Sequence, residues 1–243
     1  MLPARERLII ALDVDTLKEA EILVSRLQDH VGVFKVGMQL FNSEGPEVVR
    51  RIHRLGGKVF LDLKLHDIPN TVGQAAAVLT RHRVFMYNVH IAGGAEMMKK
   101  AVEKTVKEAG EAGLPRPLVI GVTVLTSINR EILNNEIGIK TGVEEQVVKW
   151  AKLARESGLN GVVASPMEIG AIREACGRDF VIVTPGVRPA WAAVNDQKRV
   201  MTPREAVEAG ASYLVVGRPI TGAADPVDAA RRIVDEMEEG MKC

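Results

Sequence analysis

Short aliphatic runs recur along the chain, each parted from the next by a stretch of helical period. The runs are LIIALDV (8–14), VFKVGMQL (33–40), KVFLDLKL (58–65), FMYNVHI (85–91), LVIGVTVL (118–125), GVVAS (161–165), FVIVTPGV (180–187) and YLVVGRPI (213–220). Each is rich in Val, Ile and Leu, as parallel strands covered on both faces require. Between them, residues 18–27 put Ala20, Leu23, Val24 and Leu27 on one side and charges on the other, the mark of a surface helix. Residues 44–55, 71–80, 95–109, 143–156, 167–175, 203–209 and 226–239 behave alike. Thr202-Pro203 and Asp225-Pro226 look like helix starts, a cap residue followed by proline in the first turn. Gly110, Gly158 and Gly210 fall where helices should stop.

Strand–helix alternation repeated eight times predicts an α/β fold, a closed (β/α)8 TIM barrel. An open doubly wound sheet is the alternative. Its dinucleotide-binding form would want GxGxxG after the first strand, where this chain has LDVDTLKEA. With no Pro-, Ser- or Gly-rich linker, residues 1–243 read as a single domain.

The 243 residues suit one such barrel. Aromatics make up only 4%, so the core must be aliphatic. The net charge of +1 gives no basic field for nucleic acid, and Lys99, Lys100 and Lys104 read as a solvated helix face. Cys176 and Cys243 lack zinc-ligand spacing and suit free thiols in a reducing compartment. The apolar start meets Asp13 before signal-peptide length, and no run approaches the ~20 residues of a membrane span. A cytoplasmic location without membrane contact is expected.

Chemistry in barrels of this kind sits where the strands end, and here the polar residues collect there. Asp13 ends the first run, Lys35 lies on the second, and Asp62 and Lys64 lie on the third. His90, Thr126-Ser127, Ser165, Gly186-Val187-Arg188 and Gly217-Arg218 close the others. Strand period puts Asp62 and Lys64 on one face, with Leu61, Leu63 and Leu65 toward the helices. Opposite charges ~4 Å apart attract by about 4 kcal/mol at an effective dielectric near 20, enough to help keep both charged where water is scarce. Lys35 adds a second cation and Asp67 a second carboxylate, an alternating and self-compensating set. A structural salt bridge filling the barrel top is the plainer explanation, and the polar rim from every strand weighs against it.

Loops after the seventh and eighth strands commonly hold phosphate in such barrels. Gly186 and Gly217 let backbone N–H groups approach an anion, and Arg188 and Arg218 offer planar charged forks. Asp13 and Thr126 could then hold ribose or base. HExxH, EF-hand, P-loop and GxSxG motifs are absent, and Ser43, Ser127 and Ser165 lack an obvious base partner. His90 fits a hydrogen-bonded structural role better than a catalytic or metal-ligating one. Met38, Met86, Met97 and Met98 fit core gap-filling or helix positions.

LDVD (12–15), FKVGMQLF (34–41), LDLKLHDIPNTV (61–72), NVHIAGG (88–94), GVTVLTS (121–127), TPGVRP (184–189) and VGRPIT (216–221), in this order, resemble the bacterial orotidine 5′-phosphate decarboxylases. The resemblance spans nearly the whole chain and implies decarboxylation of orotidine 5′-monophosphate to UMP in pyrimidine biosynthesis, with no metal or other cofactor. It implies a monofunctional chain, since no room is left for the phosphoribosyltransferase domain fused to this activity in animals. Under it Lys64 delivers the proton to C6, Asp62 faces the departing CO₂, and Lys35 and Asp67 complete the charged network. Asp13 and Lys35 resemble ribose contacts and Thr126 a base contact, while Arg188, Gln197, Gly217 and Arg218 resemble the phosphate-binding set. Gln197 would lie on a closing loop, residues 190–201. A homodimer is implied, with Asp67, Ile68 and Thr71 reaching into the partner's site. Residues 80–87 are bulkier and more basic than the family's pattern, which bears on packing rather than chemistry, and Ile91 stands where a smaller residue is common. One rival on the same barrel is a Mg²⁺-dependent sugar-phosphate lyase or decarboxylase, whose members also carry Asp-x-Lys-x-x-Asp but place a Glu ligand where this chain has Lys35. A non-catalytic phosphate-binding barrel is the other.

Overall fold

The computed structural model describes residues 2–192 and 201–242. Eight parallel strands close into a barrel in chain order, β1 pairing with both β2 and β8. They are β1 (Leu8–Ala11), β2 (Val33–Gly37), β3 (Lys58–Leu65), β4 (Met86–His90), β5 (Leu118–Val122), β6 (Gly161–Val163), β7 (Val181–Pro185) and β8 (Tyr213–Val216). The aliphatic runs thus all become strands. Alternation divides their side chains between two cores. Ile9, Ala11, Val33, Phe60, Met86, Ile120, Val183, Tyr213 and Val215 fill the barrel, while Leu8, Ile10, Phe34, Leu61, Tyr87 and Leu214 face the helices.

Most strands end earlier than the apolar runs suggest. β2 stops at Gly37, and Met38–Glu44 forms a helix that buries Leu40. β8 stops at Val216, and Arg218 opens a short helix, Arg218–Thr221. Apolar continuity cannot tell a strand from a helix that keeps burying the same face. The expected helix over 44–55 is interrupted by Gly45, at φ 62°, and Pro46, and resumes at Glu47–Arg54. Gly110 lies inside the helix Gly94–Ala112, which ends instead on left-handed Gly113. Gly158 and Gly210 do follow helices, at φ 84° and 106°. Thr202 caps its helix through a reciprocal box with Glu205, and Asp225 accepts the Val227 N–H. Met86, Met97 and Met98 are fully buried, whereas Met38 is exposed.

The bulky stretch 80–87 packs well. Thr80 is buried and donates to the Ala76 carbonyl, and Tyr87 is buried with its hydroxyl 2.7 Å from that of Thr105. Its one awkward residue is Arg83, a non-glycine at φ 57°. Among the described residues no helix is long and apolar enough to cross a membrane.

Candidate active site

β3 does not run as a regular strand. Leu61 pairs with Tyr87 and Leu65 with Val89, so Asp62, Leu63 and Lys64 together face Asn88 alone. The surplus is absorbed by a bulge in which Lys64 sits at φ 53°. Strand period is therefore not what places Asp62 and Lys64 together. The bulge re-aims Lys64 so that its Nζ reaches Asp62 Oδ1 at 2.8 Å. Leu61, Leu63 and Leu65 do pack toward the helices.

Asp62 is the hub. Lys35 Nζ lies 3.5 Å from its Oδ2 and 3.2 Å from Asp13 Oδ1, and Asn88 Nδ2 donates to Oδ1 at 2.7 Å. Burial pushes the Asp62 carboxyl up, but Lys35, Lys64 and the hydrogen bonds from Lys64 and Asn88 outweigh it and hold it below the usual carboxylate range. The alternation is Asp13–Lys35–Asp62–Lys64. Asp67 is not a member of it within one chain: exposed, it turns back to accept the Ile68 N–H at 2.7 Å.

Lys35, Asp62, Lys64 and Thr126 line a cavity of about 250 Å³. Phe60, Val122, Val124, Val163, Pro185 and Val215 supply the apolar part of its lining. Ligand pockets commonly measure roughly 300–1,000 Å³, so this one is small for its kind. The two loops expected to hold phosphate follow Pro185 and Val215, which line it. Gly186 follows Pro185 at φ 79°, and the Arg188 N–H donates to the Met201 carbonyl at 3.0 Å. A Cβ at Gly217 would stand 3.7 Å from Asp13 Oδ2, so the eighth-strand loop that carries Arg218 abuts the charged row. Gln197 lies outside the described residues.

Of the other rim residues, one has a plain structural task. Ser165 caps the turn Pro166–Glu168. His90 lies beside His66, ring centroids 5.4 Å apart, and burial, then His66 and Lys64, keep it below the ordinary histidine range. Ile68 is 66% exposed, and Thr71 is exposed too. Asn88 and Gly37 were not singled out from the sequence. Asn88 left a trace, a polar residue on the barrel-facing parity of an apolar strand. A Cβ on Gly37 would come within 3.2 Å of Lys35 Nζ, a relation with no signature in one chain's pattern. A second hollow of about 870 Å³ opens at the opposite end, around Arg7, Arg173 and Arg178, where Arg7 and Arg173 donate to backbone carbonyls. Among the described residues no group of three or more His, Cys, Asp or Glu is placed to hold a metal ion.

The model of the orotidine 5′-phosphate decarboxylase / HUMPS family matches residues 6–233. The chain belongs to that family. It is 57% identical over 237 residues to the orotidine 5′-phosphate decarboxylase of Syntrophomonas wolfei subsp. wolfei, covering 97% of this chain and 99% of that one. To the protein of the same name from Moorella thermoacetica it is 58% identical over 235 residues, 97% and 93% of the two chains. The crystal structure of orotidine 5′-phosphate decarboxylase from Lactobacillus acidophilus superposes with a TM-score of 0.85 at 41% identity, covering 95% and 98%. With relatives carboxy-lyases by name, the chain is an enzyme of this decarboxylase family.

Proposed function

We propose that the chain converts orotidine 5′-monophosphate to UMP and CO₂ without a metal or other cofactor, Lys64 delivering the proton to C6. The observation that carries this is Asp62, a largely buried carboxylate held between two ammoniums at 2.8 and 3.5 Å in the lining of a small cavity. Loss of CO₂ leaves an electron pair on C6 that the ring delocalises poorly. The stabilisation must come from charge already in place. Lys64 supplies it first as a neighbouring cation and then as the acid that forms the C6–H bond. Asp62 holds that ammonium and disfavours the substrate carboxylate beside it.

Asp13 and Lys35 take the ribose hydroxyls and Thr126 the base. Arg188, Gln197, Gly217 and Arg218 take the phosphate, whose remote binding energy supports the chemical step. Asp67, Ile68 and Thr71 complete the site of a partner subunit in a homodimer, and the enzyme works in the cytoplasm. The Mg²⁺-dependent rival is disfavoured by Lys35, whose ammonium already stands between Asp13 and Asp62 and would repel a dication.

The test is loss of orotidine 5′-monophosphate absorbance with purified protein in EDTA, beside Lys64→Ala. Turnover that survives chelation and falls by far more than the ~10²–10⁴ of a single acid–base group is the expected result. No turnover by wild type, or turnover that returns only with Mg²⁺, overturns the proposal.

A further inference from the structure

We infer that Asn88 is a positioning residue for the proton transfer, clamping the Lys64 backbone and the Asp62 carboxylate in the relation that presents the Lys64 ammonium to C6. The inference rests on the function proposed above.

Asn88 is 1% exposed, in the middle of β4. It is the residue that faces the three residues of the β3 bulge, two more than a regular ladder would place there. Its side chain fills the place of the missing ladder bonds: Oδ1 accepts the Lys64 N–H at 2.8 Å and Nδ2 donates to Asp62 Oδ1 at 2.7 Å. The orientation of the amide is determined by its partners, because a backbone N–H can only donate and a carboxylate only accept. Lys64 is thus held at both ends, its N–H by Asn88 and its Nζ by Asp62 Oδ1, the oxygen Asn88 also holds.

A left-handed backbone at a lysine persists only where its surroundings over-determine it. Without the Asn88 amide, the part-buried Lys64 N–H loses its acceptor and the bulge is free to relax toward negative φ. That would swing the Lys64 side chain away from the ring. Asp62 would also lose one of the donors that set the plane of its carboxylate. Misplacement by about 1 Å costs roughly 10²-fold in rate, whereas the phosphate and ribose contacts, made from other strands, are untouched.

Asn88→Ala and Asn88→Asp test the inference. Asn88→Ala is expected to lower kcat about 10²-fold while KM stays within about threefold. Asn88→Asp keeps an acceptor for the Lys64 N–H but sets a second carboxylate against Asp62, which Lys35 faces from β2, Lys64 from its own strand and His90 from β4. The acid limb of its kcat profile is expected to move to higher pH, because the added carboxylate beside Asp62 makes that carboxyl harder to ionise. A readout free of turnover is exchange of the Lys64 amide proton by NMR, slow in wild type and at least about tenfold faster in Asn88→Ala. If Asn88→Ala does not fold, Asn88→Ser, too short to span both partners, takes its place in the kinetic and amide-exchange measurements. An Asn88→Ala kcat within threefold of wild type, or an Asn88→Asp acid limb that stays in place, overturns the inference. Absence of turnover in wild type would overturn the proposed function instead. Amide exchange would then decide the clamp, and an unprotected Lys64 N–H in wild type would sink it.

Discussion

Lys64 makes its 2.8 Å bond to Asp62 from a backbone at φ 53°. For a residue with a Cβ that region costs roughly 1–2 kcal/mol. Removing the side chain in two ways separates the backbone from the ammonium. Lys64→Gly and Lys64→Ala both lose the proposed proton donor, and both are expected to be inactive. At this position glycine should be the more stable of the two by about 1 kcal/mol, or ~2–4 °C in Tm for a chain of this size. Within a regular strand the order is reversed. Thermal unfolding of the two variants side by side checks this, and Ala equal to or above Gly would show that the bulge relaxes once the ion pair is gone.

How much of this was legible in the sequence depends on how many strands a feature involves. The strands are visible because each is buried on both faces, so its apolar run is its own signature. The polar rim is visible for the same reason, since Asp13, Lys35 and Asp62 interrupt such runs. The β3 bulge is invisible, because it is a mismatch of register between β3 and β4 that neither run displays alone. Asn88 and Gly37 escape notice likewise, their roles being set by what stands opposite them. Met38–Glu44 was hidden because Leu40 continues the apolar run of β2 while burying itself as a helix.

Gly37 has an extended backbone, φ −90° and ψ −177°, that any residue can adopt. Its lack of a Cβ matters instead for Lys35, whose Nζ a methyl group would meet at 3.2 Å, with Asp13 Oδ1 at 3.8 Å. The ammonium is the end of a flexible chain and can yield, so Gly37→Ala should shift Tm by no more than about 2 °C. Moving Lys35 disturbs both carboxylates it bridges, and kcat/KM should fall about tenfold. Steady-state kinetics beside a melting curve tests the pair of expectations. Unchanged kinetics would show that Lys35 has slack.

Arg83 holds φ 57° just past the helix Pro69–Arg81, where its N–H donates to the Thr80 carbonyl. That is the position glycine favours after a helix. Arg83→Gly keeps the backbone bond and relieves the strain, and should stabilise the fold by about 1 kcal/mol, raising Tm by ~2–4 °C. Turnover should be unchanged, because the residue lies before β4, at the end of the barrel away from the cavity. A lower Tm would mean that the Arg83 side chain contributes more than its backbone loses.

Glu168 is buried, and burial, with Glu144 adding to it against the Ser165 N–H, raises its carboxyl to about 7. Its folded pKa thus lies above the unfolded value near 4.5. Between the two, the folded state binds a proton that the unfolded state has lost, so stability falls as pH rises across that window. Above pH ~7 the penalty is complete, at most roughly 3 kcal/mol. Glu168→Gln keeps an acceptor for the Ser165 N–H and removes the titration. It should be more stable than wild type at pH 8, with the gap shrinking to ~1 kcal/mol or less by pH 5. Denaturant melts at the two pH values measure this. A gap independent of pH would place the effect in packing rather than charge.

Among the described residues, no hydrogen bond or ion pair joins Asp67 or Ile68 to their own chain's charged row, the carboxylate exposed and accepting the Ile68 N–H, the isoleucine 66% exposed. If they complete a partner's site across a two-fold axis, each site needs Lys64 from one subunit and Asp67 from the other. Lys64→Ala and Asp67→Asn dimers are each expected to be nearly inactive. When the two are unfolded together and refolded as a mixture, half of the dimers are hybrids at random. Every hybrid then holds one site with both defects and one with neither. Activity should return to about a quarter of wild type, the statistical limit for a shared site in an isologous dimer. Were Asp67 to act on the Lys64 of its own chain, no combination would rebuild a whole site, and the mixture would stay as inactive as its parents.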